Sequence, residues 1–141
     1  MRFLPLLIAI VAAPAGAAAG SFCERMPIDP ELPAGLSGAY EVVGKDSLTG
    51  SAYTATLVLG YGENAYRITH TAQGNTVHGE AWIEDCGPDR IKRLVAQYDT
   101  EPRTELNCAL GVDGSNYYRA TCKTRQGSRE KLGLEAWFQQ P

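Results

Sequence analysis

The sequence predicts an all-β chain: a single eight-stranded antiparallel up-and-down β-barrel with two disulfides and a Pro-rich N-terminal arm. Three observations predict it. Eight segments rich in β-branched and aromatic residues recur at near-regular spacing after the arm. Clusters such as "KDSLTGS", "GYGEN", "QGN", "CGPD", "DTEPR", "DGSN" and "RQGSR" separate them, each with Gly, Pro, Asn or Asp where a turn needs a positive or fixed φ. No segment carries a helical period with caps, although a short helix would fit in the arm or in "GPDRIKRL". Strands that each run back beside their predecessor can close on themselves and remove both edges. A two-sheet sandwich is the competing architecture.

The chain has 141 residues, 44% hydrophobic and 21% charged, a size and balance suited to one domain. Residues 1–19 read as a secretory signal peptide: Arg2, an apolar core from Phe3 to Ala13, then small residues with Ala17 and Ala19 in the two cleavage slots. The apolar stretch is shorter than the roughly 18 residues a membrane span needs. Cys23 follows closely, but Phe22 stands where a lipidated cysteine wants a small neighbour. Residues 20–37 form an extended arm, because the prolines of "MPIDPELPAGLSG" forbid a helix or central strand. Residues 38–141 form the barrel. Its strands are expected at 38–44, 51–59, 65–72, 75–84, 90–98, 105–112, 117–124 and 130–138.

Export makes Cys23, Cys86, Cys108 and Cys122 an even set in an oxidising compartment, which reads as two disulfides. Alternation decides the pairing. Leu106, Cys108, Leu110 and Val112 share one strand face, and this apolar face is expected inside. With Gly114, Ser115 and Asn116 as a three-residue loop, Cys108 falls opposite Cys122, Leu110 opposite Ala120 and Val112 opposite Tyr118. Cys23 and Cys86 remain, and would pin the arm beneath the barrel at the end of the fourth strand. In the last hairpin a loop at 126–128 would turn Leu132, Leu134, Ala136 and Phe138 inward.

Both histidines lie in "YRITHTAQGNTVHGEAWIEDC". A Gly74–Asn75 turn places Thr71 opposite His78 and His70 opposite Gly79. Tyr66, Ile68, His70, Val77, Ala81 and Ile83 then face inward, while Arg67, Thr69, Thr71, His78, Glu80, Trp82 and Glu84 face outward. The two imidazoles point to opposite sides, so no metal site is expected of them. No cofactor is expected. An imidazole on the inner face does need a hydrogen-bond partner or a ligand.

A formal charge of −3, about −4 once the leader and its Arg2 are removed, gives no electrostatic case for a nucleic-acid partner or stable membrane insertion. The basic groups at 90–93 and 123–131 read as solvated loop and edge charge. Catalytic signatures are missing: no G-x-S-x-G elbow, no H-E-x-x-H, and cysteines expected in disulfides. Asp85, Asp89, Asp99 and Glu101 fall in or near turns with nothing to desolvate them. No enzyme is expected.

The succession "GAYEVVG", "TGSAYTATLVL", "AYRITHT", "VHGEAW", "DGSNYYRATC" and "KLGLEAWF" resembles a group of uncharacterised bacterial periplasmic or secreted proteins with calycin-like barrels, related in form to lipocalins and avidin. The resemblance covers most of the mature chain and rests on turn glycines and strand aromatics, so it implies a fold and an exported, periplasmic or secreted location more than an activity. The chain departs from that pattern in having His70 where the group often has Trp, and in its cysteines. An avidin-type biotin site is not implied, since it needs several interior tryptophans and both Trp82 and Trp137 are expected outside. The segment "TGSAY" is also similar to the Ser-Gly-x-x-Tyr loop of small periplasmic β-barrel lysozyme inhibitors, with Thr49 in place of Ser and a position earlier in the chain.

Two functions follow as expectations. One is a non-enzymatic binding or structural barrel whose interior residues His70, Tyr53, Tyr66 and Tyr98, with Tyr40, would meet a small molecule. The alternative is an inhibitor of a lysozyme or protease, or another envelope protein partner, acting through loop residues Thr49, Gly50, Ser51 and Tyr53. A filled interior is favoured, because four strands present Leu, Ile or Val inward.

Overall fold

The computed structural model describes residues 22–28 and 35–141; the expected signal peptide and part of the arm lie outside the described residues. The strands are β1 (Cys23–Arg25), β2 (Gly38–Lys45), β3 (Ala52–Tyr61), β4 (Tyr66–Ala72), β5 (Asn75–Cys86), β6 (Ile91–Tyr98), β7 (Thr104–Val112), β8 (Tyr118–Gln126) and β9 (Gly133–Gln139). Each of β2 to β9 pairs antiparallel with the next, and β9 pairs back onto β2. This is the closed eight-stranded barrel that the turn chemistry predicts. There is no helix among the described residues.

The strand β1 was not expected. It pairs with the last residues of β5, Cys23 against Cys86, where β4 no longer reaches. The Cys23–Cys86 disulfide closes that contact. Met26 donates its amide to Ile83 at 2.9 Å, and Gly87 donates to Phe22 at 2.8 Å. Beyond them Met26 and Ile28 pack on the core. Leu36 is fully buried, and the Tyr40 hydroxyl donates to its carbonyl. The arm therefore plugs this end of the barrel with apolar side chains. The sulfur that a lipid anchor would need is spent in the disulfide.

The β7–β8 register is the predicted one, with Cys108 opposite Cys122 and bonded to it. Asp113 organises the three-residue loop by accepting the amides of Ser115 and Tyr117 at 2.9 and 3.0 Å. Val112 lies on the expected face but at the rim, 58% exposed. The β4–β5 turn differs by one step: it is Gln73–Gly74, both at positive φ, and His70 pairs with Val77 rather than Gly79. The register moves by two residues, so every side chain keeps its face. His70 is inside and His78 outside, as expected.

The last strand corrects the sequence reading. The β8–β9 connection runs from 127 to 132, and Cys122 lies opposite Glu135 and Ala120 opposite Trp137. That register has the opposite parity from the expected one. Glu135 and Trp137 point inward, 3% and 0% exposed, while Leu132, Leu134 and Phe138 are left on the outside. Trp82 stays on the outer face, half-buried. A second correction concerns Asp85, which is buried on the inner face of β5 with Arg90 at 2.7 Å.

The disulfide at the plugged end links residues 63 apart. In the chain-entropy model such a link contributes about 4 kcal/mol. Replacing Cys23 and Cys86 together by Ser is expected to lower the denaturant-unfolding free energy by up to that amount; an unchanged midpoint would show that the arm does not hold the closed end. Non-reducing peptide mapping should recover Cys23 with Cys86 and Cys108 with Cys122.

Candidate functional site

The other end of the barrel is open. Four connections meet there, 46–51, 73–74, 99–103 and 127–132. Between them lies a cavity of about 610 Å³ with Tyr53, His70, Val77, Tyr98, Thr124 and Glu135 in its wall. Eight-stranded barrels leave room for side chains or for one small ligand, and cavities of roughly 300–1,000 Å³ suit small molecules. The sequence favours a filled interior; buried side chains from all eight barrel strands fill much of it, and the cavity opens at the mouth.

Glu135 lies at the floor. Its Oε1 accepts the Tyr53 hydroxyl at 2.6 Å, and its Oε2 accepts the Tyr98 hydroxyl and the Trp137 indole N–H, each at 2.7 Å. These donors come from β3, β6 and β9, so the carboxylate ties the barrel together across its interior. An unsatisfied buried charge costs several kcal/mol, and three donors are what allow a glutamate to sit there. Burial foremost, and then the neighbouring Glu135, push both phenols above their ordinary range, so they stay protonated donors.

Room for the Tyr53 ring comes from Gly44, its cross-strand partner. A Cβ at Gly44 would lie 2.2 Å from the ring. Any other residue there would push Tyr53 away from Glu135.

His70 reaches in from β4, 6% exposed, its ring tilted against Tyr98 at 4.9 Å between centroids. Its Nε2 stands 3.7 Å from Glu135 Oε1, beyond hydrogen-bond reach, and has no protein hydrogen-bond partner. Burial pushes the His70 pKa down, opposed in part by Glu135. The ring is therefore neutral at neutral pH.

Of the interior residues singled out from sequence, His70, Tyr53 and Tyr98 thus share one cavity wall. Tyr66 is buried in the plugged half, opposite Ala81 and 5.8 Å from the Tyr61 ring, and Tyr40 packs edge-on to Trp137 at 6.3 Å. The loop residues Thr49 and Ser51 stand at the same open mouth. Asp46 Oδ1 accepts the amides of Leu48 and Thr49 and the Thr49 hydroxyl, at 2.9, 2.7 and 3.0 Å. Thr49 Oγ1 in turn accepts the Ser51 amide at 3.1 Å. These bonds, the Thr49 amide first, hold the Asp46 carboxyl below its usual range. Among the described residues, the one group of possible metal ligands lying close together is Cys23, Glu84 and Cys86, and both of its sulfurs are in a disulfide.

No family model matches the chain, and no curated protein matches it. Among solved structures it is similar to a chain from the de novo design of a fluorescence-activating β-barrel, at 19% identity and a TM-score of 0.49, covering 74% of this chain and 94% of the designed one. The barrel itself rests on the strand pairing given above.

The depressed His70 pKa has a signed consequence. As pH falls below 6.5 the unfolded chain takes up a proton on this ring before the folded one does, so stability is complete above 6.5 and declines as pH drops toward the folded value. Unfolding free energies measured between pH 7.5 and 5 are expected to fall less steeply in His70→Gln than in the wild type. Identical slopes would contradict a buried neutral imidazole.

Proposed function

We propose that this protein is an exported, non-enzymatic binding barrel that holds a small molecule in its open mouth. The observation that carries the reading is His70: a buried imidazole nitrogen without a protein partner, set in the wall of a cavity of ligand size. Polar atoms in such places are normally satisfied. Around it the rings of Tyr53 and Tyr98 are fixed by Glu135 before any ligand arrives, which lowers the ordering cost of binding.

Two disulfides support an oxidising location, and the leader-like opening of the sequence supports export to a periplasm or the outside. No helix among the described residues is long and apolar enough to cross a membrane. Arg67, Glu80, Glu105 and Lys123 are exposed on the outer wall, an arrangement suited to water rather than lipid. The two mouth tyrosines are held protonated and the cysteines are bonded, so neither residue type supplies a nucleophile there. The loop-inhibitor reading has less support. The Thr49 hydroxyl is engaged within its own loop and the Tyr53 hydroxyl inside the barrel, so neither is presented to a partner's cleft.

The test pairs native mass spectrometry of protein purified from its own host with denaturant unfolding of wild type and His70→Ala. Because the truncated side chain borders an open cavity, the stability cost is expected to be at the low end for a buried residue, about 1–2 kcal/mol. The co-purified ligand mass should vanish in the variant. A cost of about 4 kcal/mol with no ligand mass in either protein would instead make His70 a packing residue.

A further inference from the structure

The mouth also specifies the charge of what it holds, given the binding role proposed above. A carboxylate offers about four acceptor positions. On Glu135, Oε2 takes two donors and Oε1 takes only Tyr53. The acceptor position still open on Oε1 belongs to the oxygen nearest the unpartnered Nε2 of His70, 3.7 Å away.

All three donors to Glu135 are neutral. Among the described residues no Lys or Arg nitrogen lies within 4.0 Å of it, and its one potentially cationic neighbour is His70. That ring is kept neutral by burial. The floor therefore carries a negative charge that is hydrogen-bonded but not electrically balanced. Aromatic rings flank it, Tyr53 on one side and Tyr98 on the other. Lys45 and Lys131 stand at the rim, exposed, where water screens their charge.

We infer that the ligand is a small organic amine in its ammonium form, one N–H given to Glu135 Oε1, a second to His70 Nε2, and its hydrocarbon laid against Tyr53 and Tyr98. An ammonium has donors for both acceptors at once, whereas a hydroxyl has one. Charge-assisted bonds are about twice as strong as neutral ones, and tyrosine faces add cation–π attraction. An anion of the same shape would be driven against the carboxylate.

Isothermal titration of the disulfide-bonded protein at pH 7.5 with 2-phenylethylamine, 2-phenylethanol and 3-phenylpropionate tests this. The amine is expected to bind about tenfold or more tighter than the alcohol, with the acid weakest. In Glu135→Gln the preference for amine over alcohol should disappear. Alcohol binding as well as amine to the wild type would overturn the ammonium assignment and leave the binding mouth standing. Failure of all three at millimolar concentration would overturn both. The wild-type ranking needs no variant, so a Glu135→Gln that does not fold leaves the test intact.

Discussion

The carboxylate of Glu135 is the group on which the interior depends. A charge taken out of water is costly unless it is hydrogen-bonded, and here three donors from different strands, Tyr53, Tyr98 and Trp137, bond it. The same bonds that make Glu135 tolerable fix both tyrosine rings and seat Trp137. Stability and the shape of the mouth are therefore one arrangement. Losing one of these donors would leave the buried carboxylate less satisfied, which is why Gly44 must stay small enough to let the Tyr53 ring reach its acceptor.

The two ends of the barrel are built on opposite principles. At one end the arm brings Met26, Ile28 and Leu36 into the core, held by β1 and the Cys23–Cys86 disulfide, and the opening is closed by apolar packing. At the other end the connections leave a hollow bounded by phenols, an imidazole and a carboxylate. Hydrophobic burial is concentrated where the chain needs stability. Polar side chains gather where it can meet a solute. A barrel with no free edges suits this division, because every strand from β2 to β9 has a paired neighbour on both sides.

Much of the fold was legible because strands and turns are local signals. Alternation located eight strands, and loop length fixed Cys108 opposite Cys122. The inward turn of His70 survived a two-residue slip at Gln73–Gly74, since an even slip leaves faces unchanged. The last strand shows where that reasoning stops. Leu132, Leu134, Ala136 and Phe138 form the more apolar set, yet Gly133, Glu135 and Trp137 face the interior. The hydrophobic count lost to a network whose donors lie 82 and 37 residues away, on β3 and β6. No pattern within β9 announces those partners, apart from an acid and a tryptophan two residues apart on one face. The candidate site was thus half readable: three of its rings came from the strand pattern, and its central carboxylate did not. β1 was missed because three residues beside a proline-rich run carry no periodic signal.

The most direct test of the central claim is a double-mutant cycle on stability between Tyr53→Phe and Tyr98→Phe. The residues sit on strands that do not pair with each other, and they meet through the two oxygens of Glu135. Shared dependence on one carboxylate predicts a coupling of about 1 kcal/mol, while sites without a shared partner add to within about 0.5 kcal/mol. Coupling of the predicted size would establish Glu135 as the hub; simple additivity would show that the two hydroxyls act separately and that the mouth is not organised around it.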